Sequence, residues 1–260
     1  GDTMRTRTIR SMMKYLTVLV FALTVLGTCM TALAATAPTD IQKEVFATKY
    51  NDTGKVGAGK NQAYLGFTSD PVKKVTVSKT SVGTVKVDKQ SYGTTLYFIP
   101  KKAGKTDVKV KIGSKTYTTS VTVFAYKNAV SKVKLASGKS VSGSAFSKKS
   151  VKTLKYSAYA NKVVKPEITL KDGWKLCFSN GDTSYETPKM VKDKYGNEVP
   201  SDKMVTKRAF CMYYKKGWQW GEEVKKGSQF KISGGAGFWI SFWAKNTKTG
   251  QIEEIEIQFS

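Results

Sequence analysis

Short runs of alternating apolar and polar residues constrain this chain more than any other feature. Val108, Val110 and Ile112 alternate with Asp107, Lys109 and Lys111, and Val121 and Val123 alternate with Ser120 and Thr122. Side chains spaced by two lie on one face of an extended strand, so each run presents one buried and one wet face. That is the signature of antiparallel sheets packed on one side. Comparable β-branched runs cover 72–78, 83–88, 95–100, 106–112 and 117–124, separated by the turn-like stretches SKTSV, KQSYG, KKAGK and GSK. No 3.6-residue period follows Gln42, apart from a short turn around Ile41–Phe46. Regular strands at this spacing predict a β-sandwich.

The C-terminal part continues the pattern. Strands are expected at KVKLA, LKYSAYA, KPEITL, WKLCFS, RAFCMYY, SQFKIS, FWISFWAKN and IEEIEIQFS. The last two are joined by TKTGQ, with Gly250 in a hairpin turn. In FWISFWAKN, Phe238, Ile240, Phe242 and Ala244 share one face, and Trp239, Ser241, Trp243 and Lys245 the other. The step from Ile252 to Ile255 breaks alternation and predicts a bulge near Glu253-Glu254. Residues 180–204 read as a long polar loop, either a ligand-binding loop or a plain excursion.

Within this pattern, residues 83–123 resemble the second half of a bacterial immunoglobulin-like domain of group two. Thr84-Val85, the Ala103-Gly104 turn, Val108, Val110 and the closing Val121-Thr122-Val123 carry the resemblance. The family expects Thr directly after the small-Gly pair; here Lys105 intervenes before Thr106. The resemblance implies a secreted or cell-surface β-sandwich module that spaces or binds and does not catalyse. The expected fold class is all-β, with two tandem immunoglobulin-like β-sandwich domains at 35–128 and 129–260.

Residues 1–34 precede this pattern. Arg5, Arg7, Arg10 and Lys14 lead into an apolar run from Tyr15 to Leu26, and Ala32-Leu33-Ala34 supplies a small-x-small cleavage signal. This is the layout of a secretory signal peptide cleaved after Ala34. The run is shorter than the ~20 residues of a membrane span, so none is expected in the mature chain. The LGTC stretch ending at Cys29 echoes a lipoprotein signal, but Thr28 stands where a Gly, Ala or Ser usually precedes that Cys.

The whole chain carries 44 Lys or Arg against 19 Asp or Glu. The leader holds four of those cations and one acid, so the mature chain keeps a net charge of +22. Arg208 is its one arginine. Lysine attracts anions as a hydrated point charge and lacks the bidentate fork that reads bases. The charge therefore points to a diffuse attraction for a polysaccharide or an anionic cell-wall polymer and away from specific nucleic-acid recognition. A host or bacterial surface protein is the other expected class of partner.

Catalytic motifs fare poorly. The chain has no His, which removes the commonest general base and metal ligand. Cys177 and Cys211 are too few for a four-thiolate site. No metal or cofactor is expected. Residues 54–61, GKVGAGKN, nearly spell a phosphate-binding loop, but Asn61 stands where a Ser or Thr must reach the metal. Ser131–Lys134 fits S-x-x-K and Lys248–Gly250 fits KTG, yet the first opens a strand and the second is a hairpin turn, unlike the serine enzymes that use them. Glu222-Glu223 and the Glu253, Glu254, Glu256 group read as turn and strand-face charges, so the chain is expected not to be an enzyme.

The binding candidates are aromatic. Trp218 and Trp220 share a face in WQW, as do Trp239 and Trp243 in the long strand. Flat rings on an open sheet stack on sugars through the sugar's C–H face; covered on both sides, the same rings are core. Cys177 and Cys211 both project to the wetter face of their strands. They form a disulfide if those strands adjoin and stay free otherwise. The reading is a secreted, non-enzymatic cell-surface protein acting in adhesion or ligand binding, with a carbohydrate-binding Trp platform as its alternative.

Overall fold

The computed structural model describes residues 39–51, 61–136, 139–218 and 220–260. The expected signal peptide, Cys29 and residues 54–60 of the phosphate-loop-like stretch lie outside them. Among the described residues, the first part of the chain forms eight strands: β1 (Asp40–Ile41), β2 (Glu44–Lys49), β3 (Ala63–Thr68), β4 (Val72–Val77), β5 (Gly83–Gln90), β6 (Gly93–Pro100), β7 (Gly104–Ile112) and β8 (Lys115–Ala125). They make two four-stranded sheets, ordered β1-β3-β6-β5 and β2-β8-β7-β4. This is the immunoglobulin-like arrangement, with the first strand split between the two sheets. The expected turn at Ile41–Phe46 is therefore corrected to two strands. The switch between sheets falls at Gln42 and Lys43, whose carbonyls accept from the Thr119 hydroxyl at 2.5 Å and the Ser120 amide at 2.9 Å. β2 then runs parallel to β8, and every other pairing in this sandwich is antiparallel.

The alternation sets the core. Val108, Val110, Ile112, Val121 and Val123 all turn inward against Leu65, Leu96 and Phe98, while Asp107, Lys109 and Lys111 stay in solvent. Burial of an aliphatic or aromatic side chain contributes about 1.5–3 kcal/mol, so this alternation selects the register.

Thirteen further strands follow: β9 (Val130–Ala136), β10 (Lys139–Ser142), β11 (Val151–Leu154), β12 (Val163–Val164), β13 (Glu167–Leu170), β14 (Trp174–Cys177), β15 (Ser184–Lys192), β16 (Glu198–Arg208), β17 (Cys211–Tyr214), β18 (Glu222–Val224), β19 (Phe230–Lys231), β20 (Phe238–Asn246) and β21 (Ile252–Phe259). A sheet ordered β10-β9-β13 and one ordered β11-β21-β20-β17-β18 supply a second core around Phe146, Phe238, Phe242 and Phe259. The chain is thus all-β, a pair of sandwiches in tandem. LKYSAYA is not a strand: Tyr156–Ala158 form a 3-10 turn. The three-residue step from Tyr156 to Tyr159 brings both rings against the core.

β14 and β17 both pair antiparallel with β20, β14 along 243–246 and β17 along 239–241. They are two pieces of one interrupted strand. Between them the chain leaves as a hairpin arm, β15 against β16. The loop expected at 180–204 is thus mostly strand. Its tip is set by Asp193, whose carboxylate accepts the Tyr195 and Asn197 amides at 2.8 and 2.9 Å. Met190, Val191, Met204 and Val205 are exposed on the arm.

Ladder partners run without a break from Ile252↔Lys245 to Phe259↔Phe238, so the bulge expected near Glu253-Glu254 is absent. The strand keeps its phase because Glu253 takes the inward position, fully buried. It sits where the sandwiches meet. Its carboxylate accepts the Lys127 amide at 3.2 Å and the Gln251 side-chain amide. Gln251 also donates to the Ala125 carbonyl at 2.7 Å, Thr48 donates to the Ile252 carbonyl at 3.2 Å, and the Glu254 amide donates to the Tyr50 hydroxyl at 2.8 Å. Burial, reinforced by the Glu253 charge, raises the Tyr50 pKa well above the usual tyrosine range. Glu253 and Glu256, expected as strand-face charges, do lie on β21 but are buried structural groups.

Candidate functional site

β20 divides its side chains as its sequence predicts. Phe238, Ile240, Phe242 and Ala244 are buried in the core. Trp239, Ser241, Trp243 and Lys245 take the other face, flanked by Gln258, Glu256, Glu254 and Ile252 on β21. On the other side, Tyr214 and Met212 of β17 face Trp239 and Ser241, and Cys177 of β14 faces Trp243.

This second face is largely covered. The Trp239 ring stacks on Tyr214 at 4.5 Å between centroids and 3° between planes. Gly221 lies against that tyrosine so closely that a Cβ there would sit 2.5 Å from a ring carbon, which requires glycine. At the other end Gly181 packs on Ile252, and the Lys245 ammonium donates to the Gly181 carbonyl at 3.4 Å. Ser241, Glu256 and Cys177 between them are buried. Trp239 and Trp243 are each half-buried within this layer, and no open platform joins them.

Trp218 and Trp220 behave differently. They stand in the turn between β17 and β18, so no strand face is shared between them. The turn is closed by the Trp218 amide donating to the Lys215 carbonyl at 3.0 Å. Trp220 is 80% exposed and Trp218 44%. The Lys215 ammonium lies over one face of Trp218, 4.3 Å from the ring centre, a cation–π contact that fixes the ring's tilt. Beneath the turn, Tyr213 stacks on Phe230 at 4.6 Å and on Phe238 at 5.6 Å, anchoring it to the core. The structure thus divides the four tryptophans into a covered pair and an open pair. Tyr214, which decides the split, is the residue that sequence reasoning missed; its period-2 position relative to Met212 was the available signal.

The acids near this turn are engaged. Glu222 accepts from the Tyr213 hydroxyl, and Glu223 pairs with Lys207 at 3.5 Å. Burial first, and Glu222 second, push the Tyr213 phenol up to about 12.

Cys177 and Cys211 are free thiols, so the disulfide is not formed. The register explains why. Cys177 faces Trp243 on the outer side of the sheet, whereas Met212 faces Ser241, which turns Cys211 inward among the core residues. Cys211 therefore does not lie on the wetter face. Burial raises the Cys177 thiol to about 11 and the Cys211 thiol to about 12, leaving both protonated at neutral pH.

No protein-family model matches the chain, and no curated protein matches it. Solved structures offer distant likenesses. Domains 4–9 of the surface-layer protein SbsC share 13% identity and a TM-score of 0.27, over 86% of this chain and 31% of that one. The tandem Ig repeats of Dlar share 10% identity and a TM-score of 0.28, over 86% and 98% of the two chains. Cadherin domains 1–4 of protocadherin gamma B7 share 8% identity and a TM-score of 0.27, over 85% and 50%. This chain spans about a third of the SbsC fragment's length. Among the described residues no helix is long and apolar enough to cross a membrane.

Proposed function

We propose that this chain is a secreted, non-enzymatic cell-surface protein that acts in adhesion or ligand binding through the β17–β18 turn. The carrying observation is the exposure of Trp220 and Trp218 on a tight turn anchored to the core by stacked aromatics. Large apolar side chains held rigidly in water lose little freedom on binding and gain buried area. Loops on a stiff scaffold are where binding concentrates. The leader read in the sequence supports export. The carboxylates of the β17–β18 hairpin and of β21 make structural contacts, which supports a binding role over catalysis.

A carbohydrate ligand is the second reading, and the open Trp220 ring favours it. A sugar can stack on that ring, whereas Trp239 is stacked on Tyr214 and Trp243 is half-buried. Retention of the mature protein on a panel of immobilised glycans and on bacterial and host surface proteins tests both readings. Trp220→Ala is expected to abolish retention and leave the melting temperature unchanged. Retention that survives loss of both Trp218 and Trp220 would place the binding surface elsewhere.

A further inference from the structure

At the end of the second sandwich away from the junction, two lysines meet. The Lys139 and Lys162 ammonium groups both donate to the carbonyl of Ala158, at 3.1 and 2.8 Å. Two cations on one oxygen repel each other, and one neutral carbonyl does not offset both charges. Lys139 is held in place by the Tyr159 ring, 4.8 Å from its nitrogen. That ring is itself buried edge-on against Phe259 at 5.1 Å. The pair is therefore built on the core and does not arise from two long side chains meeting by chance.

The surroundings are basic. Lys231 neighbours the pair through the Val163↔Lys231 pairing of β12 and β19. The loop 233–237 follows, held by the Gly235 amide donating to the Tyr156 hydroxyl at 3.0 Å. Lys215 and Lys216 pack on its other side, 3.6 and 3.4 Å from where Cβ atoms at Gly234 and Gly237 would stand. Within the second sandwich, residues 129–166 hold nine Lys and no Asp or Glu, and 224–252 again hold no acid; Glu167, next after the first of these stretches, is paired with Lys134 at 2.9 Å. Glu222, the acid closest in sequence to the β17–β18 turn, is engaged by Tyr213.

We propose that this end of the second sandwich binds the oxyanion groups of a linear polyanion, with Lys139 and Lys162 clamping one phosphate or sulfate group and Lys231, Lys215 and Lys216 following the chain across the glycine loop. An oxyanion placed between the two ammonium groups accepts hydrogen bonds from both and turns their repulsion into attraction. Lysine contacts of this kind give affinity that falls with salt as counterions return to the polymer. Lys215 is shared with the tryptophan turn, since it also lies over Trp218, but the Lys139–Lys162 clamp does not rest on the tryptophan reading, and Trp220→Ala should leave the clamp intact.

The test measures binding of the mature protein to inorganic polyphosphate, dextran sulfate and neutral dextran over a range of salt concentrations. The double variant Lys139→Gln/Lys162→Gln is compared with Lys86→Gln/Lys89→Gln, which removes the same charge from exposed positions on β5. The clamp variant is expected to weaken binding at low salt by about tenfold or more and to lower the slope of log K against log salt by about 1–2. The control should change affinity by less than about threefold. Binding to polyphosphate or to dextran sulfate identifies the clamped group as phosphate or sulfate. Lys139 titrates below the ordinary lysine range, chiefly through its contact with Lys162 and then through burial. Added polymer should raise that titration in an NMR experiment. Equal losses in the two double variants, no binding of either polyanion by the native protein, or binding of neutral dextran as tight as of dextran sulfate would overturn the proposal.

Discussion

Glu253→Ala should uncouple the two sandwiches. The carboxylate is fully buried where they meet and accepts hydrogen bonds from the Lys127 amide and the Gln251 side chain. Removing it strands those donors. A buried donor left without a partner costs about 1–3 kcal/mol. Gln251 keeps its bond to Ala125, and Lys127 stands at an exposed position, so water can reach part of the gap. The net cost is about 2–4 kcal/mol. With a urea slope of about 2 kcal/mol per molar, in the middle of the range for small proteins, the midpoint of the affected sandwich should fall by about 1–2 M. The composition supplies the assay. All five tryptophans lie between residues 174 and 243, so tryptophan fluorescence reports the second sandwich alone, and far-UV circular dichroism reports both. In the native protein the two curves should coincide. In Glu253→Ala the fluorescence curve should move to lower urea and separate from the dichroism curve. Glu253→Gln keeps one acceptor and should cost about 1 kcal/mol. If Glu253→Ala unfolds at the native midpoint by both probes, the junction's hydrogen bonds do not couple the sandwiches and the reasoning fails.

Other outcomes follow from the same geometry. Phe242→Ala, at a fully buried site, should cost about 3–5 kcal/mol, and the half-buried Trp243→Ala about 2–3, both read from chemical denaturation. Trp220→Ala, which is 80% exposed, should stay within about 0.5 kcal/mol of the native protein. Cys177 and Cys211 should resist alkylation at pH 8 in the native protein and react once it is unfolded. Their folded thiols are raised to about 11 and about 12, above the ~8.5 of an unfolded cysteine. The stability they add is thus complete below pH ~8.5 and is lost as pH climbs from there toward the folded values, which a denaturation series across that range should show. If the leader acts as the sequence predicts, mass spectrometry of protein recovered from the culture medium should give an N-terminus at Ala35 or within a few residues of it; an intact leader or a lipidated Cys29 would contradict that.

The first sandwich was legible because its signal is local. Val108, Val110 and Ile112 each have to reach a core, and the period of two says so residue by residue. The β1–β2 switch was not legible, since pairing a short segment with two different sheets leaves no periodic trace. The arm was missed for a related reason. Pro188, Pro200 and the lysines of β15 and β16 serve a hairpin that is mostly exposed and meets the sandwich near its base, at Lys207–Glu223 and Tyr185–Phe178, so little selects one apolar face, and strand signals that depend on burial fade. Glu253 misled the reading because alternation counts apolar residues. A carboxylate in an inward position looks like a phase break until its distant partner, the Lys127 amide over 100 residues away, comes into view. The four tryptophans looked alike in sequence, and their placement separates them: Trp239 lies under Tyr214 and Trp243 sits half-buried beside Cys177 in the sheet, while Trp218 and Trp220 stand in a turn.

The parallel pairing of β2 with β8 has a mechanical consequence. The two strands lie near opposite ends of the first sandwich's sequence and match over six positions, from Glu44↔Ser120 to Lys49↔Ala125. A tension that draws residue 39 away from residue 126 slides one strand lengthwise along the other. The ladder bonds then bear the load together, whereas an antiparallel hairpin pulled from its open end would peel one bond at a time. The second sandwich repeats the parallel pairing with β11 and β21, from Val151↔Glu256 to Leu154↔Phe259. The arm leaves and rejoins the second sandwich at neighbouring points along β20, so it hangs outside the line of force. A protein strung between two anchors would keep its sandwiches closed under pull while the arm and the tryptophan turn stayed at liberty to engage.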